Sequence, residues 1–229
     1  MRYDCDFDAV ILADGSFPTD RHPLGVLDGA SYLCCCDSAG MTMVDRGRTP
    51  DAIVGDGDSM TREFAERHRD IVHIVREQEY NDLTKSTRHV MSRLAYIKDR
   101  RPRVAYLGCA GKREDHTLGN ISLMAFYLRE FGIEPYMFTD YGVFMAVSGR
   151  TSFESAPGVQ VSIFNVDCER LTSEGLRWHS YPYREWWQGT LNECVGDSFT
   201  IDADGTYIVY VTYEAKVVTG TASEFSEDK

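Results

Sequence analysis

The sequence of 229 residues predicts an α/β domain with a largely parallel sheet over residues 1–148, followed by a small antiparallel β-sandwich domain over residues 149–229. Two observations predict this fold class. In the first part, apolar segments typical of buried strands alternate with segments that have the periodicity of amphipathic helices. In the second part, short segments alternate apolar and polar residues and are separated by turns, without a helical pattern.

The first domain contains six strand-like segments, at residues 8–13, 31–36, 52–55, 71–75, 104–107 and 134–139. Two of the intervening segments are predicted helices with apolar inner faces. The predicted inner faces are Leu83, Thr87, Val90, Leu94 and Ile97 in one helix, and Leu118, Ile121, Ala125 and Leu128 in the other. Alternating strands and helices imply right-handed crossovers, which predicts a Rossmann-like sheet.

The second domain has four strand-like segments, at residues 151–154, 159–166, 198–202 and 207–213. The dipeptide Asp204-Gly205 lies between the last two segments and is a strong hairpin signal, so we expect these two strands to pair. Residues 221–229 are polar and acidic, and we expect them to form a frayed tail.

Composition and charge exclude several classes of protein. The net charge of −12 argues against a nucleic-acid-binding surface, which needs a basic face. No apolar run approaches the ~18 residues of a membrane span. The first residues lack the apolar segment of a secretory signal, so we expect a cytoplasmic protein. The seven cysteines include no Cys-x-x-Cys pair, which disfavours structural zinc and favours reduced, buried thiols.

The most informative segment is Gly-Asp-Gly-Asp-Ser at residues 55–59, which follows an apolar strand. In extended backbone, Asp56 and Asp58 would point the same way at the carboxyl end of that strand, where open α/β sheets bind ligands. Two adjacent carboxylates need a cation or a shared proton, and all-oxygen ligands suit Mg²⁺ with phosphate. The same residues are also typical of a plain turn, which this segment alone leaves open.

Three further polar clusters each follow a predicted strand. They are Cys36-Asp37-Ser38, Asn81-Asp82-Leu83-Thr84-Lys85 and Gly111-Lys112-Arg113-Glu114-Asp115. Helix N-termini favour anions, Arg113 offers a bidentate fork for phosphate oxygens, and Lys85 or Lys112 offers a point charge. Taken singly, each cluster is also explained by a helix cap or by solvated surface. Their occurrence at four strand ends favours a site for a metal ion and phosphate.

The order and spacing of these motifs resemble the thiamine pyrophosphokinase family. The matching motifs are Asp14-Gly15-Ser16-Phe17-Pro18, Cys36-Asp37-Ser38-Ala39-Gly40, Gly55-Asp56-Gly57-Asp58-Ser59, Gln78-Glu79-Tyr80-Asn81-Asp82-Leu83-Thr84-Lys85 and Gly111-Lys112-Arg113-Glu114-Asp115-His116. The resemblance is strong as far as Asn120 and continues more loosely around Trp178 and Asn192. Lys112 stands where a glycine is common, but every carboxylate of the motifs is present.

The resemblance implies an enzyme that transfers a diphosphate group from ATP to thiamine, giving thiamine diphosphate and AMP. It implies a catalytic set of Asp56, Asp58, Asp82, Arg113 and Asp115. The first three would hold Mg²⁺, with Asp37 close to the same centre. The residues expected to contact ATP are Asp37, Ser59, Lys85 and Arg113. Asp115 either orients Arg113 or removes the alcohol proton as general base, and the sequence leaves both roles open.

The resemblance also implies a homodimer with its active site at the interface, and thiamine contacts from Thr190 and Asn192. An aromatic-rich stretch between residues 178 and 187 could stack the flat, partly cationic thiamine rings, or it could equally be a packing cluster. Because the acceptor rests on the weakest motif, two alternatives stay open. One is a diphosphokinase acting on another small alcohol, and the other is a nucleotide- or thiamine-binding regulator without turnover.

Overall fold

A computed structural model of the protein describes residues 6–215, so the predicted acidic tail at 221–229 and the extreme N-terminus lie outside the described residues. The first half contributes six parallel strands to a sheet, in the order β6-β5-β1-β2-β3-β4. Their bounds are β1 (Ala9–Leu12), β2 (Leu33–Cys36), β3 (Ala52–Gly55), β4 (Val72–Ile74), β5 (Arg103–Leu107) and β6 (Glu134–Phe138).

Helices connect these strands, and side-chain caps set several of their starts. The helices in the described part of the chain are α1 (Arg21–Asp28), α2 (Ser38–Asp45), α3 (Arg62–Arg67), α4 (Asp82–Arg93) and α5 (Glu114–Phe126). Asp20, Thr61 and Asn81 cap α1, α3 and α4 by accepting hydrogen bonds from backbone N–H groups of the first turn. Helix α5 continues into a π-helical turn, Tyr127–Phe131.

The six strands predicted in this half are confirmed, with ends that differ by at most two residues. The predicted inner faces are also buried, with two exceptions. Ile97 is only half-buried and lies beyond α4, which ends at Arg93. Leu118 is 57% exposed, so its assignment to the core is wrong. It lies in the first turn of α5, whose residues His116 and Thr117 line a cleft at the edge of the sheet.

From residue 142 to residue 215, the regular secondary structure consists of strands and one short 3₁₀ helix at Trp186–Gly189. The strands are β7 (Gly142–Ser148), β8 (Thr151–Glu154), β9 (Val159–Asn165), β10 (Leu171–Glu174), β11 (Asn192–Glu193), β12 (Ser198–Ala203) and β13 (Thr206–Ala215). Strand β7 pairs antiparallel with β6, and the sheet then continues through β13, β9 and β11. The result is one large mixed sheet that runs across residue 148, and a smaller antiparallel sheet in the order β10-β12-β8.

The predicted pairing across Asp204-Gly205 is wrong. This turn joins β12 to β13, but β12 pairs with β8 and β10 in the small sheet, whereas β13 pairs with β7 and β9 in the large one. The reason lies in burial, because the first four residues of β13 are all buried, as in a central strand, while β12 alternates buried and partly exposed residues. Asp204 and Gly205 form a bend that carries the chain from one sheet to the other, and the burial of each strand agrees with its partners.

The small sheet packs against one face of the large sheet. Phe153 and Phe199 stack with ring centroids 4.8 Å apart and belong to the same hydrophobic cluster as Val161 and Val209 of the large sheet. The opposite face of the large sheet is covered by α4 and α5. The antiparallel part of the large sheet and the small sheet therefore form two packed layers.

The cysteines of the described residues are free and buried, which confirms the expectation of apolar core thiols. Burial raises the pKa of Cys34 and of Cys109 to about 12, so both are neutral thiols at physiological pH. Within residues 6–215, the structure contains no helix that is long and apolar enough to cross a membrane.

Candidate active site

A cleft of about 400 Å³ opens at the carboxyl edge of the parallel strands. Its walls are the loops that follow β1, β2 and β5, together with the first turns of α4 and α5. In the described part of the chain, every residue that lines it precedes residue 121. Open α/β sheets bind ligands at the carboxyl ends of their strands, and the cleft lies at this expected position.

Backbone hydrogen bonds join the loop that follows β1 to the loop that follows β5. The backbone N–H groups of Gly15 and Ser16 donate to the carbonyls of Gly108 and Ala110, at 2.6 Å and 2.8 Å. A Cβ atom on Gly15 would collide with both carbonyls, so only glycine allows this approach. The backbone of the cleft is consequently rigid where β1 and β5 end.

Asp37 is held at the end of β2 in a strained conformation with φ of 40°. It precedes α2, yet its side chain caps no N–H of that helix, so the explanation of Asp37 as a helix cap is wrong. Its Oδ1 is buried and has no hydrogen-bond partner among residues 6–215. Burial raises the pKa of Asp37, hydrogen bonds from Ser59 oppose that rise, and the nearby charges of Asp82 and Asp58 add to it.

Asp37 meets Asp56 and Asp58, and oxygen atoms of the three carboxylates lie within 4.8 Å of one another. Asp56 and Asp58 converge for a different reason from the one expected, because β3 ends at Gly55 and Gly57 adopts φ of 81°. Residues 55–59 therefore form a turn, and the same turn contributes Asp56 and Asp58 to the acidic cluster. The Asp58 N–H and then the Gln78 amide donate to Asp56 and lower the pKa of its carboxyl.

Lys85 lies on the inner side of this acidic cluster. Its side chain is only 2% exposed, and Nζ lies 3.1 Å from Asp82 Oδ1 and 4.0 Å from Asp56 Oδ2. Asp82 is thus linked to the cluster through Lys85 and is not among the three carboxylates that share a centre. The roles of Asp82 as a metal ligand and of Lys85 as a phosphate ligand stay predictions.

Arg113 and Asp115 lie together at the start of α5. Arg113 donates from Nε and Nη2 to the two carboxylate oxygens of Asp115, at 3.1 Å and 2.6 Å. These bonds lower the pKa of Asp115 and raise that of Arg113. Both side chains are more than half exposed, and Arg113 lines the cleft. The fork of the guanidinium is therefore fixed by its own carboxylate partner.

The aromatic stretch lies outside the residues that line the cleft. Trp178 and Trp187 are 55% and 72% exposed, whereas Tyr183 is buried, so the packing explanation holds for only part of the stretch. Asn192 is buried, and its amide donates to the Trp178 carbonyl and accepts from the Trp178 N–H. Thr190 is exposed and donates to the Trp187 carbonyl. Both predicted thiamine contacts, Asn192 and Thr190, thus form hydrogen bonds to the backbone of the aromatic loop, residues 178–187. Their contact with a substrate stays a prediction.

Two features of the site have no role in the sequence-based prediction. Gln78 donates to Asp56 Oδ2 at 3.2 Å, and Asp14 pairs with Lys112 across the cleft at 3.0 Å. Both residues belong to motifs that the sequence shows, and their position at strand ends is the signal that could have drawn attention to them. Their partners lie 22 and 98 residues away in the chain, which no local pattern reveals.

Comparison with protein families finds two matches that together span most of the chain. The model described as "Thiamin pyrophosphokinase, catalytic domain" matches residues 25–135. The model described as "Thiamin pyrophosphokinase, substrate-binding domain" matches residues 142–210. A search of curated protein sequences finds no significant match.

Solved structures with similar folds include three thiamin pyrophosphokinases. The protein from Candida albicans has 14% identity and a TM-score of 0.73, with 90% of this chain and 89% of that chain covered. The yeast protein has 16% identity and a TM-score of 0.73, with 91% and 87% covered. The Bacillus subtilis protein has 17% identity and a TM-score of 0.70, with 90% and 99% covered. At these identities the likeness concerns the fold.

Proposed function

This chain belongs to the thiamin pyrophosphokinase family, and from that premise we propose which of its residues carry the transfer of diphosphate from ATP to thiamine. The enzyme produces thiamine diphosphate and AMP. The observation that carries the assignment is the convergence of Asp37, Asp56 and Asp58 beside a cleft at the carboxyl edge of the sheet.

We propose that this acidic cluster holds Mg²⁺. The donor set fits, because it consists of carboxylate oxygens and includes a buried Asp37 oxygen without a partner among the described residues. Asp37, Asp56 and Asp58 would supply the ligands, and Asp82 would join them as the family resemblance implies. When bound, the metal would offset negative charge on the transferred phosphates.

Around the metal site, cationic side chains would position the phosphates. We propose that Arg113 binds phosphate oxygens through the guanidinium N–H groups that do not bond to Asp115, with Asp115 as the group that orients it. The bidentate contact and the lowered pKa of Asp115 support orientation over proton removal, since a weakly basic carboxylate is a poor general base. Lys85 would limit repulsion within the acidic cluster, and Ser59 would position Asp58 through the hydrogen bond it donates at 3.0 Å.

The enzyme also needs a surface that binds thiamine, the acceptor of the diphosphate group. We propose that residues 1–148 form a Rossmann-like, nucleotide-binding half and that residues 149–229 form a thiamine-binding half in a cytoplasmic homodimer. The exposed faces of Trp178 and Trp187 would stack thiamine and complete the site of the partner chain. No residue of the aromatic stretch is among the described residues that line the cleft, which supports this arrangement.

The activity is tested by mixing the full chain with ATP, Mg²⁺ and thiamine and measuring AMP and thiamine diphosphate together. We expect both products in equal amounts, with no AMP formed when thiamine is omitted. Other small primary alcohols serve as control acceptors. Preferential use of one of them would indicate a diphosphokinase of different specificity, and binding without AMP would indicate a regulator.

The composite site is tested by subunit exchange between two impaired variants, Asp58→Asn and Trp187→Ala, assayed at a thiamine concentration far below the wild-type KM, where weaker thiamine binding lowers the rate. Each heterodimer would contain one site with both residues intact, so an equal mixture should recover about a quarter of the wild-type activity. Mass spectrometry of the mixture verifies that subunits have exchanged. Exchange without recovery would mean that each chain holds a complete site.

A further inference from the structure

Lys112 and Asp14 form an ion pair across the rim of the cleft. Lys112 Nζ lies 3.0 Å from Asp14 Oδ1, and the two side chains are 55% and 50% exposed. Both residues line the cleft, on the loops that follow β5 and β1. The pair therefore stands where an anionic ligand would enter.

The ion pair is not what holds the two loops together. Backbone bonds join Gly15 to Gly108 and Ser16 to Ala110, and the Ser16 hydroxyl donates to the Gly111 carbonyl at 2.9 Å. These contacts fix the backbone beneath Lys112. The ammonium group, on its long flexible stem, can change partner without moving the loop.

Among the described residues, the cleft is lined by one arginine, Arg113, and one lysine, Lys112. Each is already paired with a carboxylate. Arg113 is held by two bonds to Asp115, and Lys112 by a single bond to Asp14. Both pairs are at least half exposed, so they differ in geometry: the guanidinium–carboxylate pair is bidentate and fixed in orientation, whereas a single ammonium–carboxylate contact is weak in water. A phosphate chain that enters the cleft would therefore displace Asp14 from Lys112 more easily than Asp115 from Arg113.

We propose that Lys112 is a nucleotide-phosphate ligand that exchanges partners, with Asp14 holding its ammonium in the free enzyme and a phosphate oxygen of ATP replacing Asp14 on binding. This inference rests on the proposed function, because it takes the cleft to be the ATP site. The exchange is favourable because the triphosphate of ATP carries several negative charges, whereas Asp14 carries one. Asp14 competes with the nucleotide and so weakens its binding.

The test measures binding of α,β-methylene-ATP, whose diphosphate group cannot be transferred, to the full chain in the presence of Mg²⁺. Isothermal titration calorimetry gives the dissociation constant for wild type, Lys112→Met, Asp14→Asn and the double variant. We expect binding about tenfold weaker in Lys112→Met and about threefold tighter in Asp14→Asn. In the Lys112→Met background, Asp14→Asn should have a smaller effect, because there is no ammonium left to release.

A matched control removes the charge of a similar ion pair at the opposite edge of the sheet. Glu134 Oε2 lies 3.2 Å from Arg103 Nε, with side chains about as exposed as those of the rim pair. Glu134→Gln should leave the dissociation constant unchanged. Thermal unfolding midpoints of all variants show whether folding is preserved, as expected for half-exposed side chains.

The outcomes separate this inference from the proposed function. Unchanged affinity in Lys112→Met, or an equal effect of Asp14→Asn in both backgrounds, overturns the proposed exchange of partners. In either case, binding of the analogue by the wild type leaves the proposed function intact. Failure of the wild type to bind the analogue overturns both. A crystal structure with the analogue should show Lys112 on a phosphate oxygen, and Lys112 still on Asp14 in that complex would refute the exchange.

Discussion

The charged cleft and the aromatic loop differ in how complete they are within one chain. In the cleft and the acidic cluster beside it, Lys112 and Lys85 lie within 4.0 Å of carboxylates that the same chain supplies. In the loop, Trp178 and Trp187 expose most of their surface. In the first region the two lysines have carboxylate partners from the same chain, although one buried Asp37 oxygen has no partner among the described residues. The second region presents apolar faces outward.

The physical reason is the unequal cost of leaving the two kinds of group without partners. A buried charge such as Lys85 is strongly unfavourable unless an opposite charge lies close by, so the fold must bring those partners together. An exposed indole costs far less and can remain uncovered until a ligand or another subunit arrives. The comparison predicts that substitutions in the cleft mainly affect chemistry, and that those in the loop affect acceptor binding or stability.

The largest expected effect comes from removing one charge of the acidic cluster. Asp58→Asn should reduce kcat on the order of a hundredfold, because it removes a proposed metal ligand while leaving the side-chain shape. The thermal midpoint should hardly change, since Asp58 is exposed. The matched control is Asp70→Asn, a highly exposed aspartate outside the cluster, which should keep full activity. Full activity in Asp58→Asn would remove the cluster from the mechanism.

The next prediction asks whether Asn192 acts on the substrate or on the loop. Asn192→Ala leaves the Trp178 N–H and carbonyl without their partner, so we expect the free energy of unfolding to fall by about 2 kcal/mol. Denaturant titration measures this change, and Thr190→Ala, at an exposed neighbour, should change it little. A raised KM for thiamine with unchanged stability would instead identify Asn192 as a direct contact.

A smaller effect should come from the exposed aromatic faces themselves. Trp187→Ala should raise the KM for thiamine about tenfold through lost stacking, while the KM for ATP stays constant. Tyr96→Ala, at a residue that is 75% exposed and far along the chain from the loop, is the control. Equal changes in both KM values would show that the loop does not separate acceptor from nucleotide.

The smallest effect contrasts the two edges of the large sheet. At the amino edge, Asp8 accepts hydrogen bonds from Arg100 and from the Arg103 N–H, and these contacts, chiefly those of Arg100, lower its pKa below the usual 3.8. A lowered folded-state pKa gives stability that is present above that usual value and is lost as the pH falls through the folded pKa.

Asp8→Asn should therefore lower the free energy of unfolding by about 1 kcal/mol at neutral pH and leave kcat unchanged. The difference from wild type should shrink as the solution is acidified below pH 3.8, which denaturant titrations at both pH values can measure. An equal destabilisation in acid would show that the carboxylate charge is not what stabilises this edge.

The sequence by itself determined the elements of the parallel half and the residues that crowd its carboxyl edge. Strands β1, β2, β3 and β5 are short, mainly apolar runs, and a polar motif begins at or just after the end of each of them. This information is local, because the strand's end and the side chain after it are neighbours in the chain. Parallel strands then bring their carboxyl ends to one edge whatever the detailed packing, so a clustered site could be anticipated.

Only the tertiary structure decided which side chains in that edge are partners. Asp37 joins Asp56 and Asp58, while Lys85 stands between the cluster and Asp82. Likewise, β13 pairs with β7 instead of β12, and this pairing makes one sheet of the two halves. The partner of an ion pair or of a strand depends on burial and on distances between residues far apart in the chain, and a sequence pattern does not contain this information. The end of a strand depends on local polarity, which the sequence pattern does contain.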